Sequence, residues 1–368
     1  MAKITDNKTL RVIAIVLVLF SFSPFFSNAA LPNSVLLEQN VDQLVAADMQ
    51  QYHIPGLALA VLYKGEPVLI KGYGYADLQG RPVKTETLFG IGSVSKSITA
   101  FAVMILVQQG KINLDDSLLK YLPDAPKQWQ SVTIRQLLSH TSGIPQHQGP
   151  HLPWLRIWQK LANKPMQFSP GTHFKYNNFG YIVLSRVIEK VSQRSLSDFL
   201  AENLFTPLNM QQTGFPDTLR PPGLAAGYRV INNKVVPNPN RTPWSQMWGS
   251  GGIVSCISDM AKWDAAMTKG KLLQSASYRE MWGPVFLQDG QPSGRKGWSW
   301  ALGWQVSYFG NKLVAQKNGA IRGYGSWMVR HIDEQISIII LVNTNHVPLR
   351  RIANKIYRQF ILVQKENN

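Results

Sequence analysis

The sequence predicts an α/β fold: an antiparallel sheet built from N- and C-terminal segments and flanked by helices, with a mainly helical insertion between them. Three observations carry this expectation. Two apolar runs, 57–62 and 67–75, flank Tyr63-Lys64-Gly65-Glu66 and read as a β-hairpin. A second set of strand-like segments lies near the other end of the chain, at 302–308, 312–316, 324–331 and 335–342, with a tight turn at Asp333-Glu334. Between the two sets the pattern turns helical, most clearly at 132–138, 181–191 and 197–204. Strands at both ends with helices between them imply one interrupted sheet, expected at about 35–112 and 285–365, with the helical part at about 113–284.

The flanking elements follow in order. Residues 1–29 form a separate unit, in which Lys3, Lys8 and Arg11 precede an apolar run, 12–20, and the small-residue sequence Ser27-Asn28-Ala29. This is the pattern of a secretory leader, cleaved after Ala29 or Ala30, so the protein is expected in the periplasm or outside the cell. Membrane attachment is expected only through an uncleaved leader, and no cysteine near the cleavage site is available for lipid attachment. The last segment, 348–363, carries Ile352, Ile356, Phe360 and Ile361 with basic residues between them, which predicts a C-terminal helix lying on the sheet.

With 368 residues and 45% hydrophobic content, the chain is long and apolar enough for a substantial core. Its one cysteine, Cys256, forbids an internal disulfide and sits in a small-residue stretch that suits a buried, inert thiol. The formal charge of +17 falls to +15 once the leader, with three basic residues and one acidic residue, is removed. Such a field attracts polyanions, and in a cell envelope these are wall polymers, peptidoglycan among them, or lipid head groups; the same charge reads equally as a solvated basic surface with no partner. No run of five like charges and no aromatic–basic motif points to nucleic acid. No His/Cys/Asp/Glu cluster has metal-ligand spacing. Gly72-Tyr73-Gly74-Tyr75 lacks the third glycine and following helix of a dinucleotide fingerprint, so no cofactor is expected.

The strongest chemical signal is Phe89-Gly90-Ile91-Gly92-Ser93-Val94-Ser95-Lys96, followed by an almost wholly apolar helix at 98–107 that must be buried. Ser93 falls at the start of that helix, where free N–H groups and the positive dipole end favour an anion. Lys96 lies three residues on, on the same face. Burial removes hydration from its ammonium, lowers its pKa and turns it into a proton acceptor. By itself S-x-x-K also describes an N-cap serine followed by a snorkelling lysine.

Further segments identify the pattern. Tyr176-Asn177-Asn178 follows Pro170-Gly171-Thr172-His173-Phe174-Lys175, and Lys317-Asn318-Gly319-Ala320 lies in the C-terminal strand region. With Leu137-Leu138-Ser139-His140-Thr141-Ser142-Gly143 and Ser255-Cys256-Ile257-Ser258-Asp259, these elements run in one order along nearly the whole chain beyond the leader. In this the sequence resembles the serine β-lactamase and penicillin-binding protein superfamily, in its class C β-lactamase-like branch, which also holds D,D-peptidases and carboxylesterases. The resemblance implies an acyl-enzyme on Ser93, with Lys96 and Tyr176 managing the protons and either one as the base. It implies that Asn178 hydrogen-bonds Lys96 and a substrate amide, and that the backbone N–H groups of Ser93 and Ala320 surround the developing oxyanion. Lys317, beside Asn318 and Gly319, would pair with a substrate carboxylate or tune Tyr176. Taken singly, Tyr176 also reads as a core tyrosine and Lys317 as an edge-strand lysine. The family uses the His140 segment structurally.

Three departures from the family pattern bear on substrate. Asn318 replaces the usual threonine, Gly251 stands about where class C β-lactamases carry a cleft tyrosine, and the stretch from Trp304 to Lys317 is short. These argue against efficient antibiotic hydrolysis. The sequence therefore supports a hydrolase of β-lactam or D-Ala-type peptide substrates first, a carboxylesterase second, and a non-catalytic cell-wall-binding relative third.

Overall fold

The computed structural model describes residues 34–146 and 154–365. The expected leader lies outside the described residues. The sheet has eight strands: β1 (Gly56–Tyr63), β2 (Glu66–Gly74), β3 (Gly294–Arg295), β4 (Trp298–Trp300), β5 (Gln305–Phe309), β6 (Lys312–Ile321), β7 (Tyr324–His331) and β8 (Ile336–Val342). Their order across the sheet is β2-β1-β8-β7-β6-β5-β4-β3, every neighbour antiparallel. The β1–β8 pairing, with Ala60 opposite Ile339, joins the N-terminal hairpin to the C-terminal strands. The fold is thus the expected α/β one, with an antiparallel sheet and helices on both sides.

Alternation along β1 explains the layers. Leu57, Leu59 and Val61 face one core together with Ile338 and Ile340. Helices α1 (Ser34–Tyr52) and, at the C-terminus, α5 (Leu349–Lys365) cover that face through Val41, Val45, Ile352, Ile356 and Phe360. The intervening residues Ala58, Ala60 and Leu62 face the opposite core, where two further helices lie, α2 (Ser95–Gln108) and α4 (Ile257–Thr268), with α3 (Asn178–Ser192) beyond them. Residues Ser95 to Leu106 of α2 are all buried, as its apolar sequence requires. The smaller helix Ile134–Leu138 starts on a capping box, in which Thr133 accepts from the Gln136 N–H and the Gln136 side chain accepts from the Thr133 N–H.

Two strand boundaries differ from the sequence expectation. The segment expected as a strand at 302–308 becomes extended only from Gln305, because the Ala301 N–H donates to the Trp304 carbonyl and Gly303 takes a φ of 83°. The strand expected to end at Gln316 continues to Ile321, since Lys317, Asn318, Gly319 and Ala320 pair in register with Met328, Trp327, Ser326 and Gly325.

Candidate active site

Ser93 sits in a 3₁₀ turn, Gly92–Val94, that leads straight into α2. The turn is fixed from below by β6 and β7. Gly92 has a φ of 49°, and a Cβ there would stand 2.9 Å from the Ala320 nitrogen. A Cβ on Gly319 would fall 2.1 Å from the Ile91 carbonyl oxygen, which already accepts a 2.7 Å hydrogen bond from the Ser326 hydroxyl. Both glycines therefore let the nucleophile turn close onto the strand that carries the Lys317 segment. The backbones of Ser93 and Ala320 are brought to one place, as the oxyanion expectation needs.

Lys96 is wholly buried, with Nζ 3.2 Å from Ser93 Oγ. Its other hydrogen bond goes to the Ser250 carbonyl oxygen. That carbonyl belongs to the short helix Trp248–Gly251, seated against α2 by the Thr99 hydroxyl donating to the Gly249 carbonyl at 2.9 Å. Burial first, and the charge of Lys317 second, hold the Lys96 pKa well below the usual lysine range. The expected hydrogen bond from Asn178 to Lys96 is not formed: Ser250 takes that place, and Asn178 is exposed at the start of α3. Asn177 is the buried member of the pair, its Oδ1 capping α3 at the Gly180 N–H and its Nδ2 donating to the Ile144 carbonyl.

The Tyr176 hydroxyl donates to Ser93 Oγ at 2.9 Å. Its ring, 36% exposed, packs 4.4 Å from the His140 ring and 5.6 Å from Trp300, with Lys96 Nζ 5.1 Å from its centroid. Desolvation of the phenolate pushes its pKa up to about 12, with the Ser93 hydrogen bond acting in the opposite direction. Tyr176 is thus a phenol at neutral pH.

Lys317 is also wholly buried; Nζ donates to the Asn318 carbonyl at 2.9 Å and lies 5.3 Å from the Trp300 ring and 5.7 Å from the Tyr176 ring. Burial lowers its pKa to about 7. Asn318 and Ala320 are exposed, while Gly319 is buried. Among the described residues, neither Lys96 nor Lys317 has a carboxylate partner. Gly251 lies beside the nucleophile turn, where an added Cβ would be 3.8 Å from Gly92.

Three contributors were not singled out from sequence. Trp300, on β4, forms a wall against both Tyr176 and Lys317, its indole N–H held by the Leu138 carbonyl at 3.1 Å. Tyr181 donates to the same carbonyl at 2.6 Å and lies under Lys96. The Ser250 carbonyl is the third. His140 lies 1% exposed, and its Nδ1 accepts the Asn177 N–H at 3.1 Å. Burial, then the charges of Lys96 and Lys317, keep the His140 pKa well below that of ordinary imidazole, so the ring is neutral with its proton on Nε2. It faces Tyr176 as packing and makes no hydrogen bond to Ser93. Cys256 is buried and its thiol pKa is raised to about 11, first by burial and then by Asp259, which fits an inert thiol. Among the described residues, no group of three or more His, Cys, Asp or Glu side chains gathers as a metal site requires.

A serine touched by a buried lysine and a phenol, at the N-terminal end of a buried helix and against strand β6, is an arrangement suited to nucleophilic acyl transfer. The comparison with known families agrees: residues 41–361 match the beta-lactamase family, and the chain belongs to it. It is 30% identical over 308 residues to penicillin-binding protein 4* of Bacillus subtilis (strain 168), covering 76% of this chain. It is 24% identical over 343 residues to the protein flp of Staphylococcus aureus (strain COL), covering 88% of this chain. The chain spans 66% of the length of these curated relatives. Among solved structures, the octameric penicillin-binding protein homologue from Pyrococcus abyssi superposes with a TM-score of 0.74 at 25% identity, covering 89% of this chain and 77% of that one. The D-amino acid amidase from Ochrobactrum anthropi SV3, complexed with L-phenylalanine amide, superposes at 0.76 with 22% identity, covering 90% and 99%, and shares the fold.

Proposed function

We propose that this chain is an exported serine acyl hydrolase that forms an acyl-enzyme on Ser93 with β-lactams or amides of the D-Ala type. The observation that carries this reading is the meeting of Lys96 and Tyr176 on one serine oxygen, at 3.2 and 2.9 Å. A lysine held below its usual pKa gives up its proton more readily, and a tyrosine raised above its own keeps its phenol proton. The directions of these shifts favour Lys96 over Tyr176 as the base: Lys96 would take the Ser93 proton as Oγ bonds to the carbonyl carbon. The backbone N–H groups of Ser93 and Ala320 receive the oxyanion, as the close fit of Gly92 on Ala320 supports. Tyr176 donates to Oγ and would hand its proton to the leaving nitrogen while the Lys96 ammonium returns the serine proton to the phenolate; water, deprotonated by the same pair, would then attack the acyl carbon, and Ser93 Oγ would leave with that proton. Lys317 would pair with a substrate carboxylate; exposed Asn178 and Asn318 would meet substrate polar groups at the rim. The names of the relatives, a penicillin-binding protein and a D-amino acid amidase, support a D-configured amide or β-lactam as substrate class. Export rests on the leader pattern at 1–29. Among the described residues, no helix is long and apolar enough to cross a membrane.

One observation favours a carboxylesterase as a second reading: Lys317 is wholly buried and already donates to the Asn318 carbonyl, so the cleft offers a carboxylate little open charge. Steady-state hydrolysis of a penicillin, a D-alanyl-ended peptide and a neutral activated ester by the same preparation separates the two. The first reading expects kcat/KM for one of the carboxylated substrates to exceed that for the ester. Turnover of the ester alone would replace it with the second.

A further inference from the structure

The end of the β5–β6 hairpin presents two aromatic rings to solvent, Tyr308 at 61% and Phe309 at 74% exposure. Phe309 borders two adjoining hollows along α5. One, of about 320 Å³, also touches Tyr308, Arg350 and Arg358; the other, of about 610 Å³, touches Lys312, Arg358, Leu362 and Lys365. Leu362 is itself 54% exposed, close to the half-buried Ile361. The apolar face of α5 is spent on the sheet, so its outward face is the charged one, with Arg350, Arg351, Arg358 and Lys365 all exposed. None of these four has an ion-pair partner among the described residues. Among the described residues, the two carboxylates nearby are engaged locally: Glu334 pairs with Lys312 at 2.7 Å and accepts from Tyr357, and Asp333 accepts the Leu313 N–H. The patch therefore combines protruding aromatics and a leucine with a surplus of unpaired guanidinium and ammonium groups.

We propose that this face docks on an anionic phospholipid bilayer. Tyr308, Phe309 and Leu362 enter the interfacial layer, where amphipathic rings are favoured, while Arg350, Arg351, Arg358 and Lys365 meet lipid phosphates. Charge complementarity selects this occupant over a second copy, since the same basic face on another molecule of formal charge +17 is repelled. Strand β6 starts in the patch at Lys312 and runs into the site through Lys317 to Ala320. Docking by this face would therefore fix the position of the cleft relative to the lipid surface. Docking by this face goes beyond an uncleaved leader, which would tether the chain without orienting it.

The test uses the full chain carrying Tyr308→Cys labelled with an environment-sensitive fluorophore, because the buried Cys256 thiol stays unlabelled. Vesicles of phosphatidylglycerol and phosphatidylcholine should shift the emission to the blue; phosphatidylcholine alone should not, and about 0.5 M salt should reverse the shift. Adding Arg350→Glu and Arg358→Glu should weaken vesicle binding at least tenfold, roughly fivefold for each charge lost. Circular dichroism confirms that these surface variants are folded. The same fluorophore on Gln109→Cys, exposed at the end of α2, should report no change, which separates docking from tethering by the leader. Four results would overturn the proposal: no shift with anionic vesicles, an equal shift with phosphatidylcholine alone, an equal shift at position 109, or a shift on concentrating the protein without lipid.

Discussion

The two faces of the sheet treat the same side chain in opposite ways. On the outer face, Lys71 lies 2.7 Å from Glu38 and 2.8 Å from Asp42, and these hydrogen bonds raise its pKa. Lys355 likewise reaches Asp48 at 2.5 Å. On the inner face, Lys96 and Lys317 are fully buried, bonded to backbone carbonyls, and shifted down. The inner layer is able to pair a buried cation, for Arg330 there meets the Asp264 carboxylate. Leaving two lysines unmatched at one spot therefore costs stability that packing alone would not spend, and it favours their neutral amines over the ammonium forms. The difference marks where the fold serves chemistry and where it serves cohesion.

That contrast breaks most visibly at Lys96. Lys96→Ala should lower acylation of Ser93 by about 10²–10⁴-fold, the range for losing a positioned base, while the melting temperature stays level or rises. A near-normal acylation rate in stopped-flow assays would move the base role to Tyr176. Next in size is Arg330→Ala, which strands Asp264 and should cost about 3–5 kcal/mol in urea unfolding. If it costs no more than a surface change, the inner layer does not pair its structural cations as described.

Lys317→Ala comes third, at roughly ten- to a hundredfold in kcat/KM for a carboxylated substrate, from a charge-assisted hydrogen bond of about 1.5–3 kcal/mol. Neutral esters should lose far less. Its pKa of about 7 adds a signature: below that pH the ammonium binds carboxylate, so kcat/KM for carboxylated substrates should fall as pH rises through about 7. Lys96 acts with the opposite sign, because only its neutral form accepts a proton, so rates for both substrate classes rise as pH climbs through its depressed pKa. Equal alkaline limbs for the ester and the penicillin would remove Lys317 from carboxylate recognition. The smallest effect belongs to the outer face, where Lys71→Ala should change unfolding free energy by no more than about 1 kcal/mol.

Much of this was legible in the sequence because it is written in side chains. The β1–β2 hairpin, the buried helix after Ser93 and the amphipathic C-terminal helix follow from periodicity, and Ser93, Lys96, Tyr176 and Lys317 from their types and order. What stayed hidden is written in backbone. The Ser250 carbonyl that receives Lys96 has no residue signature, so Asn178 was given its place. Trp300 lies on a three-residue strand, too short for alternation to register, and strand pairing through Lys317-Asn318-Gly319 depends on β7 rather than on local propensity. Helix α1 carries polar residues on much of its surface and was not singled out, because its burial depends on α5 and the sheet.

Ser93 Oγ is the proposed site of acylation, and intact-protein mass spectrometry tests it most directly. Incubation with a penicillin, and in parallel with an activated ester, should add the mass of one acyl group, mapped by proteolysis to the peptide holding Ser93, with no gain in Ser93→Ala. An adduct that survives in Ser93→Ala, or that maps to another residue, would contradict the account.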